Sequence, residues 1–173
     1  MKRKLLTLSL IGLTAVLTGC GAKTITKEEA IKFANENYGE ELKEFHVVDI
    51  AKISKVTGYF EEIFEVGETK QEDDTYATPL NEEMINYICD TTLTSATWKL
   101  DGKKLFLEGK IDASSTLPIE GITGEATLKA NTDDLGYVVF EETWMSLSLN
   151  TTFMGVEISG SVEILETLTY TAK

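Results

Sequence analysis

The sequence predicts an α+β fold, with two short helices and a curled antiparallel β-meander of about five to seven strands. Two segments, at about 26–38 and from Thr78-Pro79 onward, place apolar residues at helical spacing. From Ser95 to the end, apolar and polar residues alternate in runs that are separated by turn signals. Sheets with long strands usually curl. Two small α+β units and a partly closed barrel are the alternative arrangements.

The first helix is predicted over about 26–38. It begins with a capping box at Thr26-Lys27-Glu28-Glu29, where the threonine hydroxyl and the last glutamate satisfy exposed amides. Gly39 supplies the stop. The apolar positions between these signals are Ala30, Phe33, Ala34 and Tyr38.

The segment between the helices has β-leaning runs at about 44–53 and 58–66. Residues 67–77 are polar and without periodicity, which predicts a loop and a possible sub-domain boundary. The second helix is expected to open at Thr78-Pro79, because proline is tolerated at the first helical position. Its apolar stripe comprises Met84, Ile85, Ile88 and Cys89.

The residue pattern from Ser95 to Gly136 predicts two hairpins. Asp101-Gly102 is a hairpin signal between two alternating runs. A further strand is predicted over about 122–130. It leads to Asp133-Asp134-Leu135-Gly136, which we interpret as a hairpin turn rather than a calcium loop, because the closing glutamate of that loop is missing.

Two long strands complete the predicted sheet. In the run from Tyr137 to Leu149 the apolar phase shifts between Phe140 and Met145, which predicts a bulge or sharp bend. The last strand alternates cleanly, so one face is expected to meet the core and the other water. We expect one continuous domain over 26–173.

The N-terminal segment has the features of an export signal. A basic start at Lys2-Arg3-Lys4 precedes an apolar stretch from Leu5 to Leu17. This stretch is shorter than the about 20 residues that a membrane-spanning helix needs. We therefore expect a signal peptide at residues 1–19 rather than a membrane span.

The residues Leu17-Thr18-Gly19-Cys20 resemble the lipobox of bacterial lipoproteins. The resemblance implies that the Cys20 sulfur receives a diacylglyceryl group before cleavage on its N-terminal side. Two acyl chains anchor a protein stably, whereas one does so only marginally. Residues 20–25 would then be a lipidated tether that reaches less than about 20 Å.

Charge and cysteine content limit the partners and the location. Removal of the signal takes three positive charges away, so the formal net charge falls from −13 to −16. This acidity argues against nucleic-acid binding and leaves membrane attachment to the lipid on Cys20. Cys89 has no partner for a disulfide. We expect an outward-facing, extracytoplasmic protein on a Gram-positive cell membrane, or on the outer membrane of a Gram-negative cell.

The sequence predicts no catalytic, metal-binding or cofactor-binding residue, so lipidation of Cys20 is the one predicted site. His46 is the single histidine and cannot complete a zinc site alone. Cys89 lies on the apolar stripe of a helix, where we expect a small buried hydrophobe. The acids Glu72-Asp73-Asp74 fix no coordination geometry.

A second resemblance covers residues 24–66. Ile25 to Ala34 followed by strands is similar to the start of a PepSY-type unit, a small α+β module of secreted and anchored bacterial proteins. The predicted anchor and the absence of an assembled catalytic set favour a non-enzymatic module that binds an envelope protein or a small ligand. An envelope hydrolase that uses sheet carboxylates and a carrier of an apolar ligand are the alternatives. Paired carboxylates in a cleft would favour the hydrolase, and a large apolar cavity the carrier.

Overall fold

The computed structural model describes residues 21–112 and 120–173. The predicted signal peptide, the lipobox and Cys20 lie outside these residues. The helices are α1 (Lys27–Asn37) and α2 (Glu82–Tyr87). The strands are β1 (Lys23–Ile25), β2 (Lys43–Gly58), β3 (Gly67–Ala77), β4 (Leu93–Asp101), β5 (Lys104–Ile111), β6 (Ile122–Thr132), β7 (Val138–Phe153) and β8 (Val156–Ala172).

The eight described strands form one antiparallel sheet in the order β1-β4-β5-β6-β7-β8-β2-β3. The α+β class is confirmed, but the strand number exceeds the predicted five to seven. β1 and β3 each pair with a single described strand, so the sheet is open rather than partly closed. β2, before residues 67–77, and β4 to β8, after them, belong to this same sheet.

The predicted loop at 67–77 is wrong, because this segment is β3. It pairs with β2 over eleven residues, from Lys43 opposite Ala77 to Ile53 opposite Gly67. Ten of the eleven residues are exposed. A strand that buries neither face needs no apolar alternation, so the sequence pattern gave no strand signal here.

The predicted strand at 58–66 is also wrong. Tyr59–Glu62 form a 3-10 turn, and Phe60 within it is fully buried. Gly58 starts the turn with a φ of +59°, and a Cβ at this position would lie 2.1 Å from the Ser159 carbonyl oxygen. The chain therefore leaves the sheet at a residue that only glycine accommodates easily.

The first predicted helix is confirmed, including its capping box. The Thr26 hydroxyl accepts from the Glu29 amide at 3.1 Å, and the Glu29 carboxylate accepts from the Thr26 amide at 2.9 Å. α2 begins later than predicted, at Glu82, because the Asn81 side chain caps it by accepting from the Met84 amide at 3.0 Å. Upstream, the buried Leu80 donates its amide to the Gly136 carbonyl.

The predicted bulge in the long run is misplaced. The irregularity lies at Val139, where Asn131 pairs with Phe140 but Thr132 pairs with Val138. From Phe140 onward, β7 pairs with β8 without interruption. The apparent change of phase arises because the polar residues Glu141 and Thr143 occupy positions on the same face as the buried Leu147 and Leu149.

The core lies on one sheet face, which we name the inner face. Neighbouring residues across antiparallel strands share a face, so the register relates its two apolar clusters. One cluster packs under α1 and α2, and the other surrounds the 3-10 turn. The first includes Ala30, Ala34, Ile85, Trp98, Leu105 and Leu107, and the second includes Phe60, Ile122, Leu147, Leu149 and Val162.

Candidate functional site

Polar residues interrupt the inner face on β7, β8 and β2. One row of the register crosses the sheet from Trp98 on β4 to Gln71 on β3. The row is apolar as far as Ala130 on β6, and beyond it the acids Glu141 and Asp49 flank Leu168. Its successive members are Trp98, Leu107, Ala130, Glu141, Leu168, Asp49 and Gln71.

Three carboxylates and one phenol therefore surround Leu168, and we name Asp49, Glu141, Glu166 and Tyr170 the acidic cluster. Asp49 and Glu141 flank Leu168 from the strands on either side. Glu166 and Tyr170 lie two residues from it along β8, on the same face. All four residues are partly buried.

Tyr170 is fixed by a hydrogen bond within the cluster. Its hydroxyl donates to the Glu141 Oε1 at 2.9 Å. Burial, together with the negative charge of Glu141, raises the pKa of the Tyr170 phenol above its usual range. The phenol therefore stays protonated and acts as a hydrogen-bond donor at neutral pH.

Glu166 resists ionisation more than an ordinary glutamate does. Burial, and then the negative charges of Asp49 and Glu141, raise the pKa of its carboxyl group. No ion pair between described residues involves Asp49, Glu141 or Glu166. A cation brought next to these groups would relieve their mutual repulsion.

Asp49 has a carboxylate oxygen without a partner. Its Oδ1 is buried and accepts no hydrogen bond from any described residue. A buried acceptor left unpaired costs about 1–3 kcal/mol, and more when the group is charged. The negative charge of Asp49 is therefore only partly compensated by its surroundings.

A groove of about 430 Å³ opens beside Asp49 and Tyr170. We name it the acidic groove, and its side chains come from β2, β3 and β8. It is lined by Val47, Asp49, Gln71, Glu72, Asp73, Thr75, Leu168 and Tyr170. The arrangement suits a positively charged group with several hydrogen donors, such as an ammonium or a guanidinium.

A metal ion is not indicated by the arrangement. Within the described parts of the chain, no group of three or more His, Cys, Asp or Glu side chains is placed to hold one. Glu72, Asp73 and Asp74 are successive residues of an extended strand, so their side chains alternate between the two faces.

The structure places His46 on the outer face of β2. Its Nδ1 lies 3.1 Å from Asp74 Oδ1, and its Nε2 lies 3.6 Å from Glu72 Oε2. Cys89 lies in the π-helical turn Ile88–Thr92, partly buried against the cluster under the helices. The turn that holds Cys89 directly precedes β4, and four strands, roughly 24 Å across the sheet, separate β4 from the strand of His46, β2.

The predicted hairpin turn at Asp133-Asp134-Leu135-Gly136 is confirmed, between β6 and β7. The Asp133 Oδ1 accepts from the amides of Leu135 and Tyr137, at 2.9 and 3.0 Å. This oxygen is therefore occupied by the turn itself.

Sequence reasoning missed all four members of the acidic cluster. The signal was present, because Asp49 and Glu166 stand in the apolar phase of their strands, between Val47 and Ala51 and between Ile164 and Leu168. An acid at a core-facing position is more informative than the many acids on solvated faces.

No protein-family model, curated protein or solved structure matches this chain. Among the described residues, the helices are too short or too polar to cross a bilayer.

Proposed function

We propose that this protein is a membrane-tethered, extracytoplasmic binding module of the cell envelope. Cys20 carries the lipid, and the acidic groove binds a positively charged group of an envelope protein or small ligand. Leu17-Thr18-Gly19-Cys20 supports the location. The binding role is supported by the acidic cluster on the inner face.

The observation that carries the binding role is the unpaired Asp49 Oδ1 beside two further carboxylates. Like charges at close range destabilise a fold unless something compensates them. A cation bound next to the Asp49 carboxylate, which lines the groove, supplies that compensation. Because the groove is open, such a ligand can enter without rearrangement of the core.

The interior offers little support for the carrier alternative. The apolar space enclosed by Leu80, Trp98 and Leu105 has a volume of about 20 Å³. A small-molecule site usually occupies about 300–1,000 Å³. Three ligand-sized grooves formed by described residues are open to the surface.

The binding role is tested by titrating the full-length lipoprotein, in non-ionic micelles, with tetralysine. We expect saturable binding that is lost when Asp49→Asn and Glu141→Gln are combined. Glu125→Gln with Glu163→Gln is the matched control, because it removes two charges from the outer face of the same sheet. Equal binding by the two double variants would contradict the proposal.

The location is tested by Cys20→Ala. We expect the variant to incorporate no labelled palmitate and to leave the membrane fraction. Unchanged lipid labelling would refute the proposed anchor.

A glycoside hydrolase is a second candidate, favoured by the raised pKa of Glu166. A protonated carboxyl is what a general acid requires. Glu166 lies diagonally across the pairing from Asp49 and Glu141, either of which could supply the second carboxylate that glycoside hydrolysis requires. Hydrolysis of a fluorogenic N-acetylglucosamine oligomer that Glu166→Gln abolishes would support this candidate, and no hydrolysis by the wild type would exclude that substrate.

A further inference from the structure

β3 presents a long, open strand edge. It pairs with β2 on one side, and no described strand pairs with its other side. An exposed edge of this length is a template for another strand. Gln71, Asp73 and Thr75 of this strand also line the acidic groove.

One hydrogen bond identifies which backbone groups face the open side. The Asp74 amide donates to the Asp73 carboxylate at 2.8 Å, so it is not used in the ladder with β2. In an antiparallel pair, residues that face the partner alternate with residues that face away. The amides and carbonyls of Lys70 and Glu72 therefore point to the open side as well.

The charge of this edge selects the incoming strand. β3 carries four acids, at Glu68, Glu72, Asp73 and Asp74, against the single cation Lys70. Like charges directly opposite destabilise a strand pair, so a second copy of β3 is disfavoured there. A strand with lysine or arginine is the complementary occupant.

We propose that the open edge of β3 pairs with an extended lysine- or arginine-bearing segment of a partner protein, which adds a ninth strand to the sheet. Alternate side chains of that segment then lie on the inner face. There they meet Asp73 on the adjacent strand and reach towards Asp49, roughly 10 Å away on the next strand. The inference rests on the proposed function and identifies its partner as a peptide segment rather than a free cation.

Two synthetic peptides test it against the full-length lipoprotein in non-ionic micelles. The first alternates lysine with threonine over nine residues. The second has the same sequence with alternate backbone amides N-methylated on one edge, which preserves the charge and removes the donors. We expect the methylated peptide to bind at least about tenfold more weakly.

Equal affinity for the two peptides would overturn strand addition and leave the acidic groove as a plain cation site. Binding of neither peptide would contradict both this inference and the proposed function. A failure of strand addition alone and a failure of the proposed function therefore give different results.

A pair of protein variants tests the same contact from the other side. Glu72→Pro and Glu72→Thr both remove the carboxylate, but only proline also removes the outward-facing amide. Proline is tolerated on the free side of an edge strand. We expect the proline variant to bind the first peptide several-fold more weakly than the threonine variant. Equal binding by two folded variants would overturn the proposal.

Discussion

At the scale of single residues, the acidic cluster lowers the stability of the folded state. Glu166 is partly buried on the sheet face that also holds Asp49 and Glu141. Burial, and then the negative charges of these two residues, raise the pKa of its carboxyl group. An acid with a raised folded-state pKa favours the fold at low pH, and that advantage is lost as the pH rises through the folded-state pKa. The residues that we assign to binding are therefore expected to lower stability at neutral pH.

Replacement of Glu166 by glutamine should raise the melting temperature at neutral pH. The gain should be about 1 kcal/mol or less after solvent screening, or about 2–4 °C or less for a domain of this size. Because both side chains are uncharged at low pH, the difference should vanish near pH 4. Thermal melts from pH 4 to pH 8 measure it, with Glu163→Gln on the opposite face as control. A difference in melting temperature that stays constant from pH 4 to pH 8 would contradict the raised pKa of Glu166.

Gly136 provides a second residue-scale prediction. It has a φ of +94°, and an added Cβ would lie 2.3 Å from the Tyr38 ring. Gly136→Ala should therefore cost about 2–4 kcal/mol, from backbone strain and overpacking together. Gly102→Ala is the matched control, because its φ is +59° with no atom near the added methyl group. Equal losses in urea unfolding would show that the ring contact adds nothing.

At the scale of elements, the capping box predicted α1, and the alternation of apolar and polar residues predicted the strands that bury one face. α1 was foreseen from Thr26 and Glu29, because a capping box depends on local hydrogen bonds alone. β3 was missed because an edge strand needs no buried face. α2 was placed too early because Pro79 suits several local structures, while the cap that starts the helix is Asn81.

The cap of α1 can be tested directly. Thr26→Ala should cost about 1 kcal/mol, since it leaves the Glu29 amide without its acceptor. Thr24→Ala, at an exposed position on β1, should change stability by less than about 0.5 kcal/mol. Chemical unfolding of both variants makes the comparison, and equal losses would mean that the capping box does not stabilise the helix.

At the scale of the whole molecule, the acidic cluster borders both apolar clusters of the inner face, next to Ala130 across the sheet and to Ile164 along β8. The sequence indicated the class of fold because alternation is a local property. It did not indicate the acidic cluster, because Asp49, Glu141 and Glu166 come together only through the register of β7, β8 and β2. The β2–β8 part of that register pairs residues more than a hundred positions apart, such as Asp49 with Leu168.

The location of a bound cation is the most direct test of the proposed binding site. Amide chemical shifts of the full-length protein in non-ionic micelles should be followed during titration with tetralysine. We predict that the largest changes lie at Asp49, Gln71 and Leu168, around the acidic groove. Changes confined to the Phe153–Val156 end of the sheet, or no changes at saturating probe, would contradict the account.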